Sequence, residues 1–320
     1  MTSYGYHCSH EQFGPRELLD RIVEADQAGF TRASASDHFH PWSERQGQSG
    51  FVWSWLGAAM ERTRLPFRTV SAPGYRYHPA ILAQAGATLA TMYPDRLWMA
   101  LGTGQRLNEA ITGGPWPQKQ ERQALLRECV DIMRALWAGE TVTHVGRVTV
   151  QDAKLYTRPE QPPLAVGAAI TPATARWLGT WADGMITLAG GPPDRLREIV
   201  EAFREGGGEH KPVLAQAKLA WGTSESKLRE DAFCQWGTNL LQGQVAWEIP
   251  TPRGFDEVAA LLSPGDLDAT VRVSTDLHQH AAWLNDYAAT GVNELILHNV
   301  GSNQQAFIAA FGSDVLPQLR

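Results

Sequence analysis

The sequence predicts an α/β fold, a parallel barrel of eight strands wrapped by helices, and three observations lead there. Short β-prone runs alternate with longer segments of helical spacing, the pattern that favours parallel strands with helices packed outside. Eight such runs can be counted along the chain. The 320 residues exceed the usual single-domain length yet suit one α/β barrel, and no low-complexity tract or linker divides them. Residues 1–320 therefore read as a single (β/α)8 domain.

Residues 4–8 open the series as a strand. A helix over 15–27 follows, with Leu18, Leu19, Ile22, Val23 and Ala25 as its apolar stripe, Pro15 suited to its first turn and Gly29 to its end. Further strands are predicted over 31–36, 67–72, 97–101, 164–169, 184–188, 214–220 and 294–298. Between them, 79–92 and 120–137 carry apolar residues at helical spacing, as barrel helices that bury one face do. Two stretches exceed a minimal βα unit, 103–163 and 221–292, and read as insertions after strands four and seven. Within the first, 141–155 alternates as an antiparallel hairpin turning at Val145 and Gly146.

Composition bounds the function. Lys and Arg number 28 against 34 Asp and Glu, a net charge of −6 that argues against a generic nucleic-acid or anionic-membrane surface. No apolar run approaches the roughly 18 to 20 residues of a membrane helix, and no basic flank precedes an apolar run at the N-terminus, so the chain reads as cytoplasmic. Cys8, Cys129 and Cys234 are odd in number and widely spaced, which argues against a disulfide framework or a thiolate metal site.

The densest chemistry follows the second predicted strand. Residues 34–42 gather Asp37, His38, His40 and Trp42 where a parallel barrel has its catalytic face. Asp37 is expected to orient His38 or stabilise its imidazolium, and His38 to take a proton from a hydroxyl or water. A cap and two loop histidines bonded to backbone would use the same residue types. A second cluster, residues 101–109, follows the fourth strand: its glycines allow close approach to a planar ring or a phosphate, and Asn108 offers both donors and acceptors. Thr171 heads a helix over 172–181 and could bond a phosphate there, although N-capping alone would explain it. His38, His40 and the distant His298 raise the alternative of a metal-dependent barrel hydrolase, but no further ligand series completes such a site and no metal ligand is assigned.

On these motifs the chain resembles the luciferase-like family of flavin and deazaflavin oxidoreductases, most closely the branch of glucose-6-phosphate dehydrogenases that use coenzyme F420. YGYHCSHEQFGPREL, SDHFHPW, GYRYHPAILAQAGATLATMYPDR, LGTGQRLNEAITG, RALWAGETVTHVGR and LHNVGSNQQAFIAAFGSDVLPQLR carry the resemblance, in family order. It implies a luciferase-like TIM barrel with a nonprolyl cis-peptide bulge after strand three, at Thr69-Val70 or its neighbour. It further implies that His38 is the base for a substrate hydroxyl, that Asp37 contacts the cofactor or supports that base, that Trp42 stabilises the reacting complex and that Glu11 is a site glutamate. Thr69 and Val70 would back the cofactor ring, while Asn108 and the turn Ala169, Ile170, Thr171 would lie along the cofactor. A small-molecule substrate and a homodimer belong to the same expectation.

Three departures qualify what the resemblance implies. The acidic residue expected after G-T-G is Gln105, an amide that can hydrogen-bond but cannot titrate. Ile170-Thr171 replaces an expected Gly-Gly, and residues 186–191 lack the lysine associated with a sugar phosphate, which makes glucose 6-phosphate a poor substrate. A subgroup sharing GAAITPATARWLGTWADG is assigned as flavin-dependent, which puts FMN ahead of F420. With FMN the chain would be an oxidoreductase, or a monooxygenase supplied by a flavin reductase. With F420 it would be a dehydrogenase moving hydride from an alcohol or sugar to the deazaflavin. A barrel that binds flavin without turnover is a further reading, motivated by Gln105.

Overall fold

The computed structural model describes residues 2–241 and 243–319. Its strands are β1 (Ser3–Cys8), β2 (Arg32–Ser36), β3 (Phe67–Ser71), β4 (Leu97–Leu101), β5 (Val142–Val145), β6 (Thr149–Ala153), β7 (Leu164–Ala168), β8 (Gly184–Ala189), β9 (Val213–Trp221), β10 (Arg272–Ser274) and β11 (Glu294–Asn299). Eight of them pair in parallel in the order β1-β2-β3-β4-β7-β8-β9-β11, and β11 closes the ring onto β1. The fold is the (β/α)8 barrel that the alternation predicts, and each barrel strand lies within one residue of its expected limits.

The hairpin β5–β6 occupies the insertion after β4, with antiparallel pairing from Val142↔Ala153 to Val145↔Thr149. The insertion after β9 adds the helix Glu225–Trp236, shorter helical pieces and β10. β10 pairs with β9 from Leu219 to Trp221, beyond the stretch from Val213 to Ala217 that β8 covers. Its three residues are too few to show alternation, so the sequence carries no signal for it. Outside the ring, the helix Pro15–Gln27 buries Leu18, Ile22 and Ala25, with Pro15 in its first turn and Gly29 at φ 93° just beyond its end. Among the described residues no helix is long and apolar enough to cross a membrane.

Alternation fixes what fills the barrel. Trp98 and Ala100 of β4, Val166 of β7, Ile186 of β8 and Leu214 of β9 point inward with Arg68 of β3, and they leave no room for a water molecule. The N-terminal floor is an ion network: Arg68 forks onto both oxygens of Glu294 at 3.0 and 2.7 Å, and Arg32 adds a contact at 2.9 Å. The Arg68 guanidinium lies 3.8 Å from the centre of the Trp98 ring. A buried charge of this kind persists when paired and stacked on an aromatic face. The reacting groups therefore sit at the opposite, C-terminal mouth.

Candidate active site

Two strand ends deliver a carboxylate and an imidazole to one spot. Past β1 the chain turns, with the amides of Gln12 and Phe13 donating to the Ser9 carbonyl at 3.3 and 3.2 Å, and this turn presents Glu11. Glu11 is only 2% exposed, its Oε2 accepts from Ser9 Oγ at 3.0 Å and Ser36 Oγ at 2.5 Å, and its Oε1 lies 3.4 Å from His38 Nδ1. Burial favours its acid form, but the His38 imidazole and the Ser36 hydroxyl outweigh this and hold the carboxyl down to about 2. Burial draws the His38 ring below its usual value, against the upward pull of Glu11. At neutral pH the pair is thus a carboxylate facing a neutral imidazole, whose Nδ1 makes no aligned hydrogen bond. The Trp42 ring stands 4.9 Å from that imidazole and is itself met edge-on by Phe255 at 5.3 Å. Glu11, His38 and Trp42 come together as expected.

Asp37 makes no hydrogen bond to His38, so the orienting role expected of it is not seen, although its charge still favours the imidazolium. β2 ends at Ser36, and the Asp37 carboxylate turns towards β3. Its Oδ2 accepts from Ser71 Oγ at 2.5 Å, and its Oδ1 accepts from Tyr77 Oη at 2.8 Å and Arg76 Nη1 at 3.2 Å. Glu11 takes the place beside the imidazole instead. Arg76 also faces Glu109, with Nε 3.5 Å from Oε1, so one guanidinium bridges two buried carboxyl groups. Burial pushes the Glu109 carboxyl up to about 6, with Arg76 opposing. Gly104, at φ 76°, lies against this group, and a Cβ there would stand 2.8 Å from Glu109 Cγ.

Other expected contacts are used within the protein. Asn108 Oδ1 accepts from the amides of Phe39 and His40 at 2.9 and 3.2 Å, and its Nδ2 donates to Gln105 Oε1 at 3.3 Å. Asn108 thus pins the His38 loop, and most of its hydrogen-bonding capacity is taken before any cofactor arrives. Thr171 caps the helix Pro172–Gly179 through Thr174, the bland reading of its position, and the Ala169 amide donates to the Ile186 carbonyl at 3.0 Å. His40 Nδ1 meets the Leu107 carbonyl at 2.8 Å while His298 bonds Lys218 and Gln12, so the three histidines of the hydrolase alternative do not converge. No group of three or more metal-ligating side chains forms among the described residues.

The expected cis peptide is absent: every peptide bond among the described residues is trans. β3 keeps its ladder with β4 as far as Ser71↔Leu101, and a nonprolyl cis bond would cost roughly 3 kcal/mol. Thr69 is fully buried and faces away from the barrel axis, whereas Val70 shares the inward face of Arg68. Val70, Ile170 and Leu188 are 38%, 36% and 46% exposed around the mouth, although the interior beneath them is filled. These apolar side chains are left open at the mouth of a closed barrel.

Sequence reasoning missed Ser71, Arg76, Tyr77 and the role of Glu109. Arg76 and Tyr77 lie in the GYRYHP segment, and nothing local marks Asp37 as their partner. An arginine flanked by two tyrosines after a strand was the available signal.

A filled eight-stranded parallel barrel with a buried carboxylate and imidazole at its C-terminal mouth has the architecture of a barrel enzyme. The chain belongs to the luciferase-like monooxygenase family, which it matches over residues 2–294. It is 35% identical over 328 residues to the F420-dependent glucose-6-phosphate dehydrogenase of Nakamurella multipartita, covering 99% of this chain and 96% of that protein. The protein of the same description from Intrasporangium calvum is 36% identical over 334 residues, with 100% and 99% covered. Among solved structures, an F420-dependent secondary alcohol dehydrogenase in complex with an F420-acetone adduct superposes with a TM-score of 0.92 at 29% identity, covering 100% of this chain and 99% of that one. The F420-dependent tetrahydromethanopterin reductase of Methanopyrus kandleri, at 19% identity and a TM-score of 0.80, shares the fold.

Proposed function

We propose that the chain is a coenzyme F420-dependent dehydrogenase that oxidises a small, uncharged alcohol. The contact that carries this reading is Glu11 Oε1 at 3.4 Å from a neutral His38 that remains 13% exposed, a base held ready for a hydroxyl proton. When His38 accepts that proton, the Glu11 carboxylate stabilises the imidazolium formed. Trp42 and Phe255 wall the same spot with apolar surface. The deazaflavin, when bound, supplies a hydride acceptor for the carbinol carbon.

Val70, Ile170 and Leu188 would meet the ring, and Asp37, paired with Arg76, would lie along it. The relatives named above support F420 over FMN, which moves FMN from first place to second, and a dehydrogenase needs no flavin reductase. Gln105 leaves that position without a titrating acid. The carboxyl of the same segment is Glu109, which faces Arg76.

The end of β8 favours an alcohol over a sugar phosphate. Residues 186–191 contain no cation, and the nearby Arg272 donates to the Gly191 carbonyl and to Tyr287 Oη. We further propose a homodimer, to be measured by light scattering.

Separate anaerobic titrations with F420 and with FMN test the cofactor. Tight binding of F420 with negligible binding of FMN is expected, followed by F420 reduction with propan-2-ol and not with glucose 6-phosphate. His38→Ala should abolish that reduction. Binding of FMN alone, or normal turnover by His38→Ala, would overturn the assignment.

A further inference from the structure

Beneath the pair just described, β9 and β11 place an ammonium and an imidazole that the proposed reaction does not touch. Lys218 Nζ donates to Gln216 Oε1 at 2.7 Å, lies 2.9 Å from His298 Nδ1 and stands 4.5 Å from the centre of the Trp236 ring. Among the described residues no carboxylate lies within ion-pair distance of it. Its nearest attractive charge is Glu11, and burial pulls its ammonium down to about 7. His298 is 1% exposed, and its Nε2 lies 3.0 Å from Gln12 Oε1. Gln12, 7% exposed, donates from Nε2 to the Val300 carbonyl at 2.9 Å and to Gln235 Oε1 at 3.2 Å.

The donors and acceptors form one directed chain. An amide oxygen only accepts, so His298 carries its proton on Nε2, and its Nδ1 must then accept from Lys218. Gln12 is the residue after Glu11, in the turn closed onto the Ser9 carbonyl. A buried row of polar groups is worth keeping only when every member is satisfied, since each orphan costs about 1–3 kcal/mol.

We propose that Lys218, His298 and Gln12 are positioning residues: they tie the turn that carries Glu11 to β9 and β11 and so hold its carboxylate against His38. This rests on the reading of Glu11 and His38 as the reacting pair. It gives a role to a lysine that stands among apolar strands without a carboxylate partner. The ionisable groups facing the chain are His7 of β1, whose ring is 4.5 Å from that of His298, Glu11 and His10 of the turn, and His38 after β2. Asp37 and Arg76 also act on His38, in opposite directions.

The test uses the cofactor-free protein, so it does not depend on turnover. Gln12→Leu and His298→Phe each exchange one neutral side chain for another, and any change in the His38 titration therefore reports geometry. Glu11 raises the His38 midpoint. Slackening the turn should accordingly lower that midpoint by about half a pH unit or more in each variant, read by NMR of the ring protons, with no further fall in the double variant. In Lys218→Met, 15N spectra should show His298 keeping its Nε2–H tautomer, held by Gln12, while its Nδ1 resonance shifts on losing its donor. Gln12→Asn, which keeps the amide and shortens it by one methylene, should give an intermediate midpoint should Gln12→Leu fail to fold.

With F420 and propan-2-ol, the folded variants should lose at least about tenfold in kcat while KM for F420 stays within about twofold. His38 midpoints unchanged in folded Gln12→Asn and His298→Phe would overturn the positioning role. Absence of F420 turnover in the unsubstituted protein would instead refute the dehydrogenase reading and leave the NMR result to decide this one.

Discussion

Replacing Glu11 by Gln removes one charge from the reacting pair and almost no volume. The oxygen nearest His38 is 3.4 Å from Nδ1. Two unit charges at that separation attract by about 1.2 kcal/mol at the permittivity of water and about 5 kcal/mol at the effective value near 20 that suits protein sites. If His38 becomes an imidazolium in the transition state, that attraction is present there and absent beforehand. The loss in kcat should accordingly lie between about tenfold and about 4 × 10³-fold. The sign on the pH axis is fixed too. Glu11 raises the His38 pKa, so the variant's imidazole stays neutral to lower pH, and the acid limb of the kcat profile should move down by about one unit or more while its plateau falls. Steady-state reduction of F420 by propan-2-ol between pH 4 and pH 9 (roughly the range over which a histidine titrates) measures both. A variant that turns over within twofold of the unsubstituted protein, with its acid limb unmoved, would show that His38 does not act against this carboxylate.

Three other outcomes follow from the same geometry. Arg76→Leu strands Asp37 and Glu109 as buried carboxyl groups without their cation, and chemical denaturation should show a loss of about 3–5 kcal/mol that Arg76→Lys, lacking the planar fork, does not restore. Glu109 binds its proton more tightly folded, at about 6, than unfolded, so its contribution to stability is fully present below pH 4.5 and fades as pH rises through 6. The melting temperature of Glu109→Gln should fall less across that interval than that of the unsubstituted protein. Asn108→Ala frees the amides of Phe39 and His40, and should cost about 1–3 kcal/mol in denaturation while raising the hydrogen-exchange rates of those two amides.

Much of this architecture is local information, and the sequence displays it. A barrel strand is a short apolar run between helical stretches, and each is legible because both periods are complete within a few residues. β10 is too short to complete one. At the site, His38 and Trp42 stand out in the cluster after the second strand, whereas Glu11 could be named only through the family resemblance. What orients them could not: Asp37 follows the second strand and looks like the partner of its neighbour, but its carboxylate meets Ser71, Arg76 and Tyr77, which approach from the next strand and its loop. Asn108 likewise carries the donors and acceptors that a cofactor would use, and only the fold shows them taken by the His38 loop. Sequence order places residues on strand ends, and side-chain direction across the mouth decides which of them meet.

The Arg68–Glu294–Arg32 floor has a kinetic corollary. With the barrel interior filled and its floor closed by this network, the Glu11–His38 pair is approached from the C-terminal mouth. On the proposed dehydrogenase reading, a broad cofactor and a small alcohol could not cross there independently if one lay over the other. The partner seated deeper has to arrive first and depart last, which makes the order of arrival a property inherited from the plug at the far end of the barrel.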